Sequence, residues 1–393
     1  MRAALAAVLV ALLLPGSAAG GLRERLAAAL AVPNVSSAQT GALAVDLRTG
    51  QAVFARNEER GLLPASTEKL AVTYAALFSL GVDFRFETDV LGQGQIDGAT
   101  WRGSLVLKGF GDPTLTTASV RRLAAGVRAF GIRHVTGGIV GDESYFDERR
   151  VVSGWKPRYL IEESPPLTAL IVDRGKVGRY TSRNPALAAA VLFRAELLRA
   201  GVGVAGKARA GRTSAPDFPI AFVHSQPLGA IVRSMGVESD NFVAEMLLKQ
   251  LGAQETGRGT SAGGAIVVTA ILRTAGVPLG GVRLVDGSGL SALNRLTAAS
   301  LVGLLRLAWI DPEFRALFLR TLPVAGVSGT LRDRLRPVRG KVYAKTGTTN
   351  AASTLAGYVP GRYAFAVLHN GRPVATSWAR RAQDRFVTVL ASP

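Results

Sequence analysis

Leu63-Pro64-Ala65-Ser66-Thr67-Glu68-Lys69 opens a segment that continues through Leu70, Tyr74, Leu77 and Leu80 to Gly81. Its apolar residues recur at steps of three and four, the period of one helical face, so Ser66 to Leu80 reads as a buried helix with Gly81 as its stop. A serine and a lysine three apart on a helix share that face, which puts the Lys69 amine within reach of the Ser66 hydroxyl. An ordinary capping box would carry Glu or Gln three residues after the serine, and here that position is Lys69. To take a hydroxyl proton near neutral pH the lysine must have a lowered pKa, through burial or a neighbouring positive charge. Ser66 is thus the candidate nucleophile and Lys69 its base.

Working outward, two further motifs follow in order, Ser239-Asp240-Asn241 and Lys345-Thr346-Gly347-Thr348. Ser239 and Asn241, two apart at the start of a helix, are expected to project a hydroxyl and an amide into one cleft. The hydroxyl would relay a proton to a leaving amine and the amide would hold substrate backbone. The second motif sits just before a strand signal, where Gly347 is expected to let substrate backbone lie against a sheet edge. Lys345, Thr346 and Thr348 suit a terminal carboxylate, and Lys345 is the candidate source of the charge that lowers the pKa of Lys69.

Around these motifs, Gly21 to Val32 reads as a helix, and Thr40 to Ala55 as a strand pair with Leu43, Val45 and Leu47 on one face and a turn at Arg48-Thr49-Gly50. From about Gly81 to Ile220 the texture changes to short alternating segments such as Ser104 to Lys108 and Gly138 to Val140, with helices at Thr117 to Phe130 and Pro185 to Ala200. Helical patterning resumes at Leu228 to Met235, Asn241 to Leu251, Ala262 to Ala275 and Thr297 to Ile310. Ala352 to Val359 and Arg362 to Leu368 then read as neighbouring strands joined through Pro360-Gly361. The expected organisation is a catalytic domain of residues 20–80 and 222–393, whose first and last strands share one sheet, split by an inserted α+β domain of residues 81–221.

At 393 residues and 48% hydrophobic positions the chain can bury a large core. Its 47 Lys plus Arg against 28 Asp plus Glu give a charge of +19, which suits anionic surroundings such as envelope polymers or a membrane surface. The basic residues are scattered, and no nucleic-acid-binding motif accompanies them, so no nucleic-acid partner is expected. Arg2, the apolar run Ala3 to Leu14 and Ser17-Ala18-Ala19 read as a signal peptide over residues 1–19, cleaved ahead of Gly20. That run is shorter than the roughly 20 residues a membrane span needs, so no transmembrane anchor is expected and the protein is expected to be exported. With no cysteine, thiol nucleophiles, disulfides and thiolate metal sites are excluded. Three scattered histidines, His134, His224 and His369, offer no zinc cluster, and His134 and His369 read as strand or turn residues. Gly326-Val327-Ser328-Gly329-Thr330 misses the nucleophile-elbow pattern at its fifth residue. No metal and no cofactor is implied.

The three motifs are those of penicillin-binding proteins and class A β-lactamases, and the wider sequence resembles the D-alanyl-D-alanine carboxypeptidase/endopeptidase family of peptidase family S13. The likeness runs through Asp83-Phe84-Arg85-Phe86, Gly111-Asp112-Pro113-Thr114-Leu115, Ala169 to Arg174, Asp286-Gly287-Ser288-Gly289-Leu290-Ser291 and Leu322-Pro323-Val324-Ala325-Gly326. The resemblance implies an α+β, β-lactamase-like transpeptidase domain with a five-stranded antiparallel sheet between helices. It further implies attack by Ser66 on the carbonyl between two D-alanines of a peptidoglycan stem peptide, with Lys69 as base and Ser239 passing a proton to the departing D-alanine. Backbone amides of Ser66 and Thr348 would form the oxyanion hole. Asn241, Lys345, Thr346, Gly347 and Thr348 would line the substrate site, and β-lactam antibiotics would acylate Ser66.

Two departures from the family pattern stand out. A second module commonly nested after the block matched by Ile171 to Arg174 is expected to be missing. The arginine that often follows Asp-Gly-Ser-Gly-Leu-Ser is Ala292 here, with Arg295 as a candidate substitute. A β-lactamase would want a Glu-x-x-x-Asn loop after the Ser-Asp-Asn motif, which is not found after Asn241. A non-catalytic wall-binding protein would not need Ser66, Lys69 and Ser239 intact.

Overall fold

The computed structural model describes residues 18–213 and 218–393. The expected signal peptide lies, through residue 17, outside the described residues. Two sheets organise the chain. The first has five strands, antiparallel throughout, in the order Tyr343–Thr348, Ala352–Val359, Tyr363–Asn370, Thr40–Asp46, Ala52–Arg56. The chain's first strand therefore pairs with its last, placing Ala44 opposite Phe365.

Strand alternation sends side chains to two separate cores. Leu43, Val45 and Leu47 join Leu70, Tyr74 and Leu77 of the Lys69–Leu80 helix on one face, as their spacing predicts. Ala42, Ala44 and Phe54 face the opposite core with Phe365 and Val367. Every residue of Ala352–Val359 is buried, because neighbouring strands flank this interior strand and helices cover both its faces. On one side lie Lys69–Leu80, Leu228–Glu238, Asn241–Thr256, Ser261–Thr274 and Ala298–Ile310; on the other, Ala18–Ala29 and Thr376–Ala391. This is the expected antiparallel sheet between helices.

Some boundaries differ from the sequence-based expectation. The first helix ends at Ala29 rather than Val32, since the chain turns ahead of Pro33. Helices at Pro312–Arg320 and Thr376–Ala391 were not anticipated. The latter buries Ala379, Ala382, Gln383, Phe386, Val387 and Leu390, a stripe at helical spacing that the sequence displays. Its Phe386 meets Phe54 edge to face at 5.3 Å between ring centroids. Truncating such a ring to alanine costs ~3–5 kcal/mol.

The second sheet is built from Ala208–Ala210, Ile139–Asp142, Thr100–Gly109, Glu87–Asp97 and Phe218–His224 in that order, with His134–Val135 beside Thr100–Gly109 and Gly203–Val204 beside His134–Val135. Helices Thr117–Ala129 and Pro185–Arg199 cover it around Leu105, Leu107, Leu123 and Phe193. A smaller cluster joins this region to the first: Phe146, Val152, Leu167 and Ile171 pack on Phe242 and Met246 of the Asn241–Thr256 helix. The segment between Phe146 and Ile171 is thereby held against the helix that starts at Asn241. His134 and His369 are strand residues, as expected.

Candidate active site

Ser66 lies in a single 3₁₀ turn, Ala65–Glu68, and the α-helix begins at Lys69. A continuous helix from Ser66 was expected; a tighter turn is present, with Ala65 in the left-handed region at φ +45°. Three residues per turn bring i and i+3 into line, so the tighter turn aligns Ser66 with Lys69 even better than an α-helix does. Gly289 permits this turn, for a Cβ there would stand 1.9 Å from the Ala65 carbonyl oxygen.

Lys69 Nζ lies 2.8 Å from each of three oxygens: Ser66 Oγ, Asn241 Oδ1 and the Ser288 carbonyl. The side chain is 1% exposed. Burial depresses its pKa to about 8, against the opposing pull of Asp286, Glu245, Asp240 and Glu68. Lys345 was expected to be the activating charge. Burial is instead the main cause for both lysines, and Lys345 is itself held well below the usual lysine range by burial and then by the charge of Lys69. Beneath Lys69, Glu68 and Glu245 are fully buried. Burial pushes the Glu68 carboxyl well above its usual range and that of Glu245 up to about 8, with Asp286 adding to both.

Ser239 forms the corner between two helices, closing Leu228–Glu238 in the left-handed region at φ +61°. Asp240 caps the next helix by accepting the Val243 N–H at 3.1 Å, and it pairs with Arg174. This corner projects Ser239 and Asn241 the same way, as expected. Ser239 Oγ accepts a hydrogen bond from Lys345 Nζ at 2.8 Å. The Asn241 amide is engaged at both ends, its Oδ1 by Lys69 and its Nδ2 by the Glu163 carbonyl and carboxylate oxygens at 3.2 Å each.

Lys345, Thr346, Gly347 and Thr348 lie within the edge strand Tyr343–Thr348 rather than ahead of a strand. Thr346 Oγ1 is 2.7 Å from Thr330 Oγ1, and Arg380 Nη2 donates to Thr348 Oγ1 at 3.3 Å. Gly347 was expected to make room for substrate. Its Cα in fact faces the Ser66 turn, where a Cβ would stand 2.8 Å from Ser66 N, so the room it makes is for the nucleophile's own backbone.

Ser66, Ser239, Asn241, Thr346 and Thr348 all line one cleft of about 560 Å³. Lys69, Lys345 and Gly347 lie buried directly behind it, against these residues. Arg158, Tyr159 and Glu163 from the segment between the sheets also line it, as do Thr330, Arg334 and Arg380. Sequence reasoning missed these residues. The helical stripe around Arg380 was the available signal, whereas no local pattern marks Tyr159 or Glu163. Arg295 does not line this cleft: its guanidinium folds back on the Ala292 and Asn294 carbonyls, beside Arg60 and Arg372 in a different cavity.

Comparison with known proteins agrees with this architecture. The profile of the D-Ala-D-Ala carboxypeptidase 3 (S13) family matches residues 22–182 and 178–392. The D-alanyl-D-alanine carboxypeptidase of an Actinomadura species is 31% identical, with 94% of this chain and 84% of that protein covered. Carboxypeptidase DacB of Mycolicibacterium smegmatis is 33% identical, with 95% and 84% covered. The crystal structure of penicillin binding protein 4 (dacB) from Haemophilus influenzae superposes with a TM-score of 0.83 at 23% identity, covering 96% of this chain and all of that one, and so shares the fold. With a family profile spanning nearly the whole described chain, the protein belongs to the D-Ala-D-Ala carboxypeptidase 3 (S13) family.

Proposed function

We propose that the protein is a serine D-Ala-D-Ala carboxypeptidase that trims peptidoglycan stem peptides through an acyl-enzyme on Ser66. The observation that carries this is the buried Lys69 amine, 2.8 Å from Ser66 Oγ and depressed to about 8, a base available near neutral pH. Lys69 takes the hydroxyl proton as Ser66 Oγ attacks the carbonyl between the two D-alanines. The Ser66 N–H, which makes no backbone hydrogen bond among the described residues, and the Thr348 N–H receive the oxyanion. As the C–N bond breaks, Ser239, linked to Lys345 at 2.8 Å, hands a proton to the leaving D-alanine, and water then releases the acyl group.

Substrate backbone lies along Asn241 and the edge strand, and the terminal carboxylate meets Thr346, Thr348 and the cation Arg380 at the cleft rim. Residues 81–221 serve as an inserted module on the 20–80 and 222–393 catalytic domain, and supply Tyr159 and Glu163 to the cleft wall. Alignment to the Actinomadura relative spans 457 positions, more than the whole of this chain, which supports the loss of a nested module. β-Lactams act as covalent inhibitors, and the signal segment exports the enzyme to the cell envelope, processed near Ala19.

Mass spectrometry of purified peptidoglycan fragments after incubation with the mature protein tests this. Loss of one D-alanine per pentapeptide is expected, separation of cross-linked dimers would add endopeptidase action, and fragments left unchanged would overturn the assignment. Labelled penicillin should attach to Ser66 and fail to attach after Ser66→Ala.

A further inference from the structure

We propose that Glu245 is a positioning residue for Lys69, acting through the Gly287-Ser288 turn to aim the lysine's lone pair at Ser66. This rests on the Ser66 mechanism above and extends it by one layer.

A neutral lysine nitrogen has two N–H bonds and one lone pair besides its bond to carbon. The three oxygens around Lys69 Nζ, each at 2.8 Å, are not equivalent. Asn241 Oδ1 and the Ser288 carbonyl can only accept, whereas the Ser66 hydroxyl can donate. When both N–H bonds point to the two carbonyls, the lone pair is left facing Ser66. The direction of the base is therefore set by how firmly those two carbonyls are held.

Asn241 is held by the start of its helix and by Glu163. The Ser288 carbonyl is held from its N-terminal side by Glu245, whose Oε1 accepts the N–H groups of Gly287 at 3.0 Å and Ser288 at 2.8 Å, in the two peptides just ahead of that carbonyl. Glu245 sits four residues after Asn241, on the same face of the same helix, so one helix presents one aligning carbonyl directly and holds the other through the turn. The turn has little freedom to find another partner. Ser288 is fully buried, and a Cβ on Gly287 would lie 2.6 Å from the Ala244 carbonyl oxygen. Asp286 closes the turn by accepting the Gly289 N–H at 2.8 Å. Glu68, Asp286, Asp240 and Lys249 are the other charged groups around this pair. Below pH about 8 the Glu245 carboxyl is neutral, so glutamine is its near isostere and keeps the acceptor.

The test is the acylation rate constant of the full mature chain with one labelled penicillin, measured from about pH 6 to about pH 10, a range that brackets the reference lysine pKa. Glu245→Gln should acylate like the wild type. Glu245→Ala should lose about 100-fold in rate on the plateau above the Lys69 pKa of about 8, the size of effect a slightly misplaced reacting group produces. Its labelled fraction at completion and its penicillin dissociation constant should be unchanged. A merely structural role would lower the labelled fraction and leave the rate constant alone. Glu245→Met, similar in length and without a carbonyl, replaces alanine if the alanine chain does not fold, with the same expected loss. An unchanged rate constant in these truncations, or a Glu245→Gln as slow as they are, overturns the proposal. A wild type that does not label on Ser66 overturns the proposed function itself.

Discussion

Gly347 stands so close to Ser66 that a Cβ on it would lie 2.8 Å from Ser66 N, 2.9 Å from Pro64 O and 2.2 Å from Thr354 Oγ1. The edge strand and the nucleophile turn are thus in backbone contact, and in the proposed mechanism their separation sets the gap in which the Ser66 and Thr348 amides would receive a substrate oxygen. Gly347→Ala should push the strand away from the turn and slow acylation by about 100-fold, as a small misplacement of reacting groups does. Stopped-flow labelling with a fluorescent penicillin measures it, and a wild-type rate would show that the gap tolerates a methyl group.

The pH profile of acylation follows from Lys69. A base works in its deprotonated form, so with a pKa of about 8 the rate should climb through pH 8 and level off above it. Lys69→Arg should not acylate anywhere in that range, because guanidinium keeps its proton. Lys345→Arg keeps an N–H donor next to Ser239 and should retain partial activity. Equal rates in the two arginine variants would remove Lys69 from the role of base.

Glu68 should make stability fall as pH rises. Its carboxyl is fully buried, makes no hydrogen bond among the described residues and is held protonated in the folded state well above its ordinary value of 4.5. The unfolded chain releases that proton above 4.5, so over the window from there to the raised folded pKa the unfolded state binds fewer protons and gains in stability relative to the fold. Glu68→Gln removes this contribution. Its melting temperature should exceed that of the wild type at pH about 8 and match it at about 4, below the reference glutamate pKa. A constant offset at all pH values would mean that Glu68 is not the titrating group.

Arg380 donates to Thr348 at the cleft rim and makes no ion pair among the described residues. Arg380→Ala should raise KM for a D-Ala-D-Ala peptide with a free carboxylate by about tenfold, as expected for loss of a charge-assisted hydrogen bond, and leave kcat nearly unchanged. The same peptide ending in a carboxamide should show no difference between variant and wild type. Equal KM effects on the two peptides would place Arg380 outside the carboxylate site.

Much of the site was legible because its chemistry is written in short range. Ser66 with Lys69, and Ser239 with Asn241, are brought together by one turn or one corner, and local spacing suffices to pair them. The strand pair Ala352–Val359 and Tyr363–Asn370 was legible for the same reason, through alternation and the Pro360-Gly361 turn. The Thr376–Ala391 helix was also written in its stripe of buried positions, and with it Arg380, although the sequence reading passed over both.

The sequence by itself determined the family, the antiparallel sheet between helices and the set of motif residues. Only the tertiary structure decided what activates Lys69, because the depression of its pKa comes from burial, which depends on every element packed around it. It also decided that Gly347 serves the Ser66 turn and that Arg295 faces away from the cleft. Glu163 reaches Asn241 across 78 residues, and Glu245 reaches Ser288 across 43. Contacts of that separation leave no period in the chain, since they exist only once segments distant in sequence have packed together.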